Sequence, residues 1–169
     1  MSAKSEGFAA FVEAREQALH RTAWLLTGDR ALAEDLVQVA LVRAWPHWER
    51  IVRRDDPEVY VRRVMVNTWS TWRRRRWHGE QSVELVPDAA GPEDVAAEVA
   101  IRVAVRSALG TLPDRQRAVV VLRVLDDLSE AQVARVLGCA VGTVKSTLSQ
   151  ALARLREDPR LAELLEQVR

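Results

Sequence analysis

Arginine and tryptophan together can hold a nucleic-acid strand. The guanidinium neutralises phosphate, and indole or guanidinium planes stack on an unpaired base. Between Tyr60 and Trp77 the chain reads Tyr-Val-Arg-Arg-Val-Met-Val-Asn-Thr-Trp-Ser-Thr-Trp-Arg-Arg-Arg-Arg-Trp, with six arginines and three tryptophans. At 3.6 residues per turn, Val61, Val64, Met65, Thr68 and Trp72 fall on one helical face. Arg62, Arg63, Val66, Asn67, Ser70, Arg73 and Arg74 fall on the other, with Trp69 at the border. The first face suits a protein core and the second a phosphate backbone. Taken alone, the stretch reads equally well as a solvated basic helix whose tryptophans are core.

A second polar set lies near the other end. Ser129 to Gly138 reads as a short helix closed by glycine, and Gly142 to Arg156 as a longer one. Val133, Ala134, Leu137, Val144, Leu148 and Leu152 would share a small core, with a tight turn around Gly138, which is helix-turn-helix architecture. The second helix would expose Thr143, Lys145, Ser146, Thr147, Ser149, Gln150 and Arg154. A glutamine can pair with adenine, and a lysine with guanine or phosphate. Many three-helix arrangements share this outline and touch no DNA.

A third set, Glu34, Asp35 and Gln38, clusters on one surface of a helix expected over Arg30 to Trp45. It can dock a basic partner, although ordinary solvated residues look the same by composition. Catalysis is not expected. There is no nucleophile–base pair or phosphate loop, and His20, His47 and His78 lack metal-ligand spacing, so neither a metal nor a cofactor is expected. The single Cys139 cannot form an internal disulfide, which fits a reducing cytoplasm. No apolar run approaches a membrane span, so no membrane insertion is expected. The N-terminus lacks a hydrophobic segment of the signal-peptide type.

These sets need elements to hold them. The chain has 169 residues, enough for one ordinary domain or two small ones. Its net charge of +1 hides a basic block at 51–78, eight basic against three acidic groups, followed by an acidic block at 79–110, two against six. All nine aromatics lie at or before Trp77, which argues for two domains with differently built cores. A helix from Phe8 to Leu26, with core positions Phe8, Phe11, Val12, Leu19, Ala23 and Leu26, should end at Gly28, with Asp29 capping the next. In that next helix Leu32, Leu36, Val39 and Val42 or Arg43 recur at helical spacing, and Pro46 stops it. His47 to Asp56 reads as a loop, and Pro57 opens the basic helix. Residues 78–94, with two glycines, two prolines and five acidic groups, read as a linker. Val95 to Leu109 is helical, and Pro113 opens a further helix that Asp126 to Ser129 closes.

The order of these motifs resembles the extracytoplasmic-function sigma factors, two-domain promoter-specificity subunits of bacterial RNA polymerase. Ala33 to Trp45 resembles region 2.2, and Val61 to Arg76 resembles regions 2.3 and 2.4. Leu112-Pro-Asp-Arg-Gln-Arg117 and the Val141-Gly-Thr-Val-Lys-Ser146 signature resemble region 4. The resemblance implies an all-α fold of two small helical domains, residues 1–77 and 95–169, joined by an acidic linker at 78–94. It implies that Glu34, Asp35, Gln38 and Arg43 bind core RNA polymerase. It implies that Arg62, Arg63, Asn67, Ser70, Arg73 and Arg74 engage the promoter −10 element, and that the polar residues of the last-named helix read the −35 element. An anti-sigma factor is a common partner in the family, though no residue here requires one. Three departures stand out. Ala140 replaces a serine that would cap the recognition helix, Thr147 and Gln150 stand where arginines are usual, and no acidic residue lies near Thr71. The competing expectation is a helix-turn-helix regulator that never meets polymerase.

Overall fold

The computed structural model describes residues 2–77 and 93–167, so most of the expected linker lies outside the described residues. No strand occurs among them.

Local signals set the helix ends. α1 (Ala3–Thr27) starts where the Ser2 side chain accepts from the Ser5 N–H. It stops at Gly28, whose φ of 69° lies in the left-handed region and whose N–H bonds to the Trp24 carbonyl. A side chain at this position would also crowd the guanidinium groups of Arg106 and Arg117, so glycine serves a close approach as well as a turn. Asp29 then caps α2 (Arg30–Ala44), accepting from the Leu32 N–H at 2.9 Å.

α2 buries Ala33, Leu36, Val37, Ala40 and Ala44. The expected stripe was displaced: Leu36 is core, Val39 is only half-buried, and Val42 is 71% exposed. Small alanines define the seam, letting α2 lie close to its neighbours, and a reading guided by large aliphatics passes over them.

The expected loop from His47 is instead helical. A 3₁₀ turn, Trp45–His47, carries Pro46 and leads into α3 (Trp48–Arg54). Aromatic contacts hold this segment to α1. Phe8 meets Trp45 and Trp48 edge-on at 5.1 and 5.0 Å, and Phe11 lies 5.0 Å from Trp48.

The basic helix, α4 (Pro57–Trp77), begins at proline as expected, with the Asp56 carboxylate accepting from the Glu58 N–H. The second half of the chain contains α5 (Glu93–Gly110), α6 (Asp114–Val120), a π-helical turn (Val121–Leu125) and α7 (Glu130–Leu137). α8 (Val141–Arg156) and α9 (Pro159–Gln167) follow. α9, for which no helix was expected, lies against α5 and α8. α7 has a complete capping box: Ser129 accepts from the Gln132 N–H while the Gln132 side chain accepts from the Ser129 N–H. Gly138 closes it at φ 64°, and α8 starts from Ala140 with no side-chain cap, as expected.

The helix-turn-helix core follows the expected positions. Val133, Ala134 and Val144 are buried, and Leu137, Leu148 and Leu152 are partly so. Apolar packing is continuous between the two helical domains. Buried residues of α1, α2 and α4 join those of α6, α7 and α8 in one contiguous cluster.

Candidate nucleic-acid interface

α4 has three faces where two were expected. Val61, Met65 and Thr68 point into the first domain, as read from the periodicity, with Trp72 and Val64 half-buried. Arg62, Val66 and Trp69 are 1%, 7% and 3% exposed, so the assignment of Arg62 and Val66 to an outward face is corrected. They lie beneath the second domain. A two-way split cannot reveal this, because a helix covered by two partners presents two buried stripes, here offset by one residue or about 100°.

The contacts on this side are mostly ionic. Arg62 Nε donates to Asp126 Oδ2 at 3.1 Å, and Arg62 Nη1 donates to Glu58 Oε1 at 2.7 Å. The Arg62 and Asp126 side chains are only 2% and 0% exposed. Thr22 Oγ1 lies 2.6 Å from the same Asp126 oxygen and 2.9 Å from the Ala18 carbonyl, and its one proton goes best to the charged acceptor. Arg63 Nε donates to the Arg135 carbonyl at 3.1 Å, and Arg135 pairs with Asp55. Arg73 pairs with Asp114 at 3.0 Å. Arg117 is buried, and its guanidinium lies 5.9 Å from the Trp69 ring. Burial, and then the nearby charge of Arg73, lower its pKa to about 10.

The third face of α4 looks outward. Asn67 and Arg74 are exposed, and Ser70 is half-buried. Tyr60, Val64 and Asn67 line a groove with Val42, Arg43, Pro46 and His47. Pro46 and His47 also border a second, basic groove with Glu49, Arg50, Arg53 and Arg54 of α3. The two grooves thus adjoin. Trp48 is a buried pillar against α1. Arg50 and His47 of the basic groove were not among the expected contact residues; the three-to-four-residue spacing of His47, Arg50 and Arg54 is the signal that marks them.

On α2, Glu34, Asp35 and Gln38 are all exposed, and Val42 continues the row one turn beyond Gln38. Glu34 also pairs with Arg30 at 3.7 Å. Arg43 is turned away toward α4, where Nη1 donates to Thr68 Oγ1 at 3.1 Å. On α8, Thr143, Lys145, Ser146, Ser149, Gln150 and Arg154 are exposed and Thr147 is half-buried. Lys145 Nζ lies 3.6 Å from Glu130 at the start of α7, which draws it to the flank of the helix. No cluster of potential metal ligands occurs among the described residues. No described helix is long and apolar enough to cross a membrane.

A helix-turn-helix in one domain and a basic helix beside two grooves in the other define a two-module DNA-binding transcription protein. The family model for Sigma-70 region 2 matches residues 11–79, and that for Sigma-70 region 4 matches residues 102–155. The chain is 42% identical over 151 residues to the RNA polymerase sigma-E factor of Streptomyces avermitilis, spanning 89% of this chain and 84% of the relative. It is 36% identical over 143 residues to the ECF RNA polymerase sigma factor SigL of Mycobacterium tuberculosis, spanning 82% and 80%. The sigma factor RpoE of Bartonella quintana, solved in complex with the anti-sigma factor NepR, superposes with a TM-score of 0.70 at 27% identity, covering 97% of this chain and 99% of that one. CnrH, solved with the cytosolic domain of CnrY, shares the fold with a TM-score of 0.63. The chain belongs to the extracytoplasmic-function sigma factors of the sigma-70 family. That membership disfavours a helix-turn-helix regulator independent of polymerase.

Proposed function

We propose that this sigma factor joins core RNA polymerase through the Glu34, Asp35, Gln38 and Val42 row of α2 and places two DNA-reading surfaces on one promoter. The work is binding rather than catalysis, and it is performed in the cytoplasm, where polymerase meets DNA. The observation that carries the reading is the paired grooves bounded by α2, α3 and α4. They bring the cations Arg50, Arg53 and Arg54 beside Tyr60 and Asn67. Separated strands need such a surface: fixed positive charge for the backbone and a partly apolar recess for an unstacked base. Asn67, Ser70 and Arg74 border it from α4, and Arg62, Arg63 and Arg73 join it when the second domain moves away.

α8 then reads duplex DNA at the −35 element. Thr143, Ser146, Thr147, Gln150 and Arg154 recur at three- and four-residue spacing along one side, the geometry of a helix lying in the major groove. With Thr147 and Gln150 uncharged, phosphate anchoring falls on Arg154, Arg156 and Lys145. The domains run over 1–77 and 95–169, with 78–94 as the acidic tether that raises the effective concentration of each module for the other's promoter element. A cytosolic anti-sigma factor is a further partner suggested by the complexes of the structural relatives.

Reconstitution decides the assignment. Purified chain should co-elute with core RNA polymerase and support run-off transcription from its own promoters. Failure of the wild-type chain to bind core enzyme would overturn the reading.

A further inference from the structure

We infer that the chain carries a site for a small phosphate-class anion where α4, α5 and α6 meet the end of α1, built from Arg73, Arg106 and Arg117. α5 lays its arginines along the last turns of α1. The Arg102 guanidinium lies 5.3 Å from the Trp24 ring, and one turn further on in both helices Arg106 lies against Gly28. Arg106 Nε and Arg117 Nη2 come within 3.2 and 3.4 Å of the one point where a β-carbon on Gly28 would stand. The Arg117 and Arg73 guanidiniums each lie 5.9 Å from the Trp69 ring. Three guanidiniums are thus gathered at one place, with that of Arg102 a turn away.

The charges of this group are not balanced. Arg102, Arg106 and Arg117 form no ion pair among the described residues. Arg73 with Asp114, at 3.0 Å, is the one pair in the group. Asp29, next to Gly28 in the chain, is committed to the Leu32 N–H. The C-terminus of α1 offers about half a negative charge, and Arg117 takes it up through the Leu25 carbonyl. Capping α1 therefore accounts for one arginine and leaves Arg106 with no hydrogen-bond acceptor of its own among the described residues. Burial, then Arg73 and also Arg106, lower the Arg117 pKa to about 10, with Asp114 opposing; this is how like charges behave when held together with too little counter-charge.

The donors fit a phosphate oxyanion. A guanidinium fork presents paired N–H groups that match phosphate oxygens two at a time. Arg117 bonds through Nε, and its outer nitrogens make no hydrogen bond among the described residues. The Arg73 side chain is 48% exposed and Arg106 is half-buried, so an anion meets these two first, with Arg117, 5% exposed, beneath them. The indoles are already occupied. Arg102 covers Trp24, and Trp69 is buried, so neither ring is open to stack a base. The site therefore takes a free anion, phosphate or pyrophosphate, rather than a nucleotide. Its negative charge offsets the repulsion among the three arginines.

Thermal melts of the full chain, in phosphate or in chloride at matched ionic strength, test the site. With a Kd of about 1 mM, about 10 mM phosphate should raise the melting midpoint by about 3–6 °C over chloride. Arg106→Gln should lose most of that shift, whereas Arg53→Gln, which removes a charge from α3, should keep it. Comparing the variants cancels the general stabilisation that phosphate, as an excluded anion, gives any folded chain. Equal phosphate shifts in wild type and Arg106→Gln would overturn the site while leaving the polymerase assignment intact. Calorimetric titration of pyrophosphate into the wild-type chain should show one site. No binding there would overturn the proposal even if Arg106→Gln fails to fold. Adenosine diphosphate in the same titration separates the two sources of phosphate oxygens. Binding no tighter than that of pyrophosphate supports a free-anion site; markedly tighter binding would overturn it in favour of a nucleotide.

Discussion

Arg117 Nε in the second domain donates to the backbone carbonyl of Leu25 at 3.0 Å. Leu25 lies in the last turn of α1, where carbonyls lack helical partners and the helix dipole favours a cation, so the arginine acts as a C-terminal cap delivered from 92 residues away. The bond carries an opposing term, since burial and the nearby Arg73 charge lower the Arg117 pKa to about 10. A base whose folded pKa is depressed destabilises the folded chain fully at neutral pH, and that penalty lifts as pH rises through about 10 toward the group's ordinary value.

Truncation and neutralisation at Arg117 should therefore differ. Arg117→Ala orphans the Leu25 carbonyl and should destabilise the chain by about 1–3 kcal/mol. Arg117→Gln retains a donor without the buried charge and should lose less. Thermal melts at pH 7 give the order; a glutamine variant as unstable as the alanine one would contradict it.

The bare cap of α8 predicts a gain. Ala140 has the extended backbone of an N-cap, φ −72° and ψ 151°, but no side-chain oxygen for the free N–H groups behind it. Ala140→Ser should stabilise the helix-turn-helix by about 0.5–2 kcal/mol. The melting midpoint should rise by roughly 2–4 °C per kcal/mol for a chain of this size. A flat or lower midpoint would mean that serine cannot reach those N–H groups.

Caps and turns were the most legible part of the sequence because their chemistry is local. Gly28, Asp29, Pro57, Ser129 and Gly138 all act where their residue types place them. The helix-turn-helix core was legible for the same reason, its two helices being joined by a few residues. Tertiary partners were not. Arg62 looks like a surface arginine until Asp126, 64 residues further on, buries it. Val42 looks like core until alanines at 33, 40 and 44 turn the seam of α2 away from it. α3 reads as a loop in sequence because seven residues ending in arginines show little periodicity, and Phe8 and Phe11 of α1, not propensity, hold Trp48 in place.

Val42 yields a prediction that the periodicity reading would have reversed. As a core valine, Val42→Glu would unfold the domain. As an exposed residue one turn past Gln38, it should leave the folding stability within about 0.5 kcal/mol of wild type. It should weaken core polymerase binding, measured by titration of labelled chain. Lower stability with unchanged polymerase affinity would remove Val42 from the docking row.

Arg73 and Arg74 are adjacent in sequence but differ in what holds them. Arg73 pairs with Asp114 of the second domain, whereas Arg74 stands exposed on the outward side. Arg74→Ala should remove a phosphate contact and nothing else, lowering the slope of promoter affinity against salt by about one. It should reduce promoter opening more than polymerase binding. Arg73→Ala loses a phosphate contact too, and with it the ion pair to Asp114. Permanganate footprinting of holoenzyme with each variant, alongside polymerase binding, separates these effects. Equal losses of opening and polymerase binding in Arg74→Ala would place this residue outside the strand-holding surface.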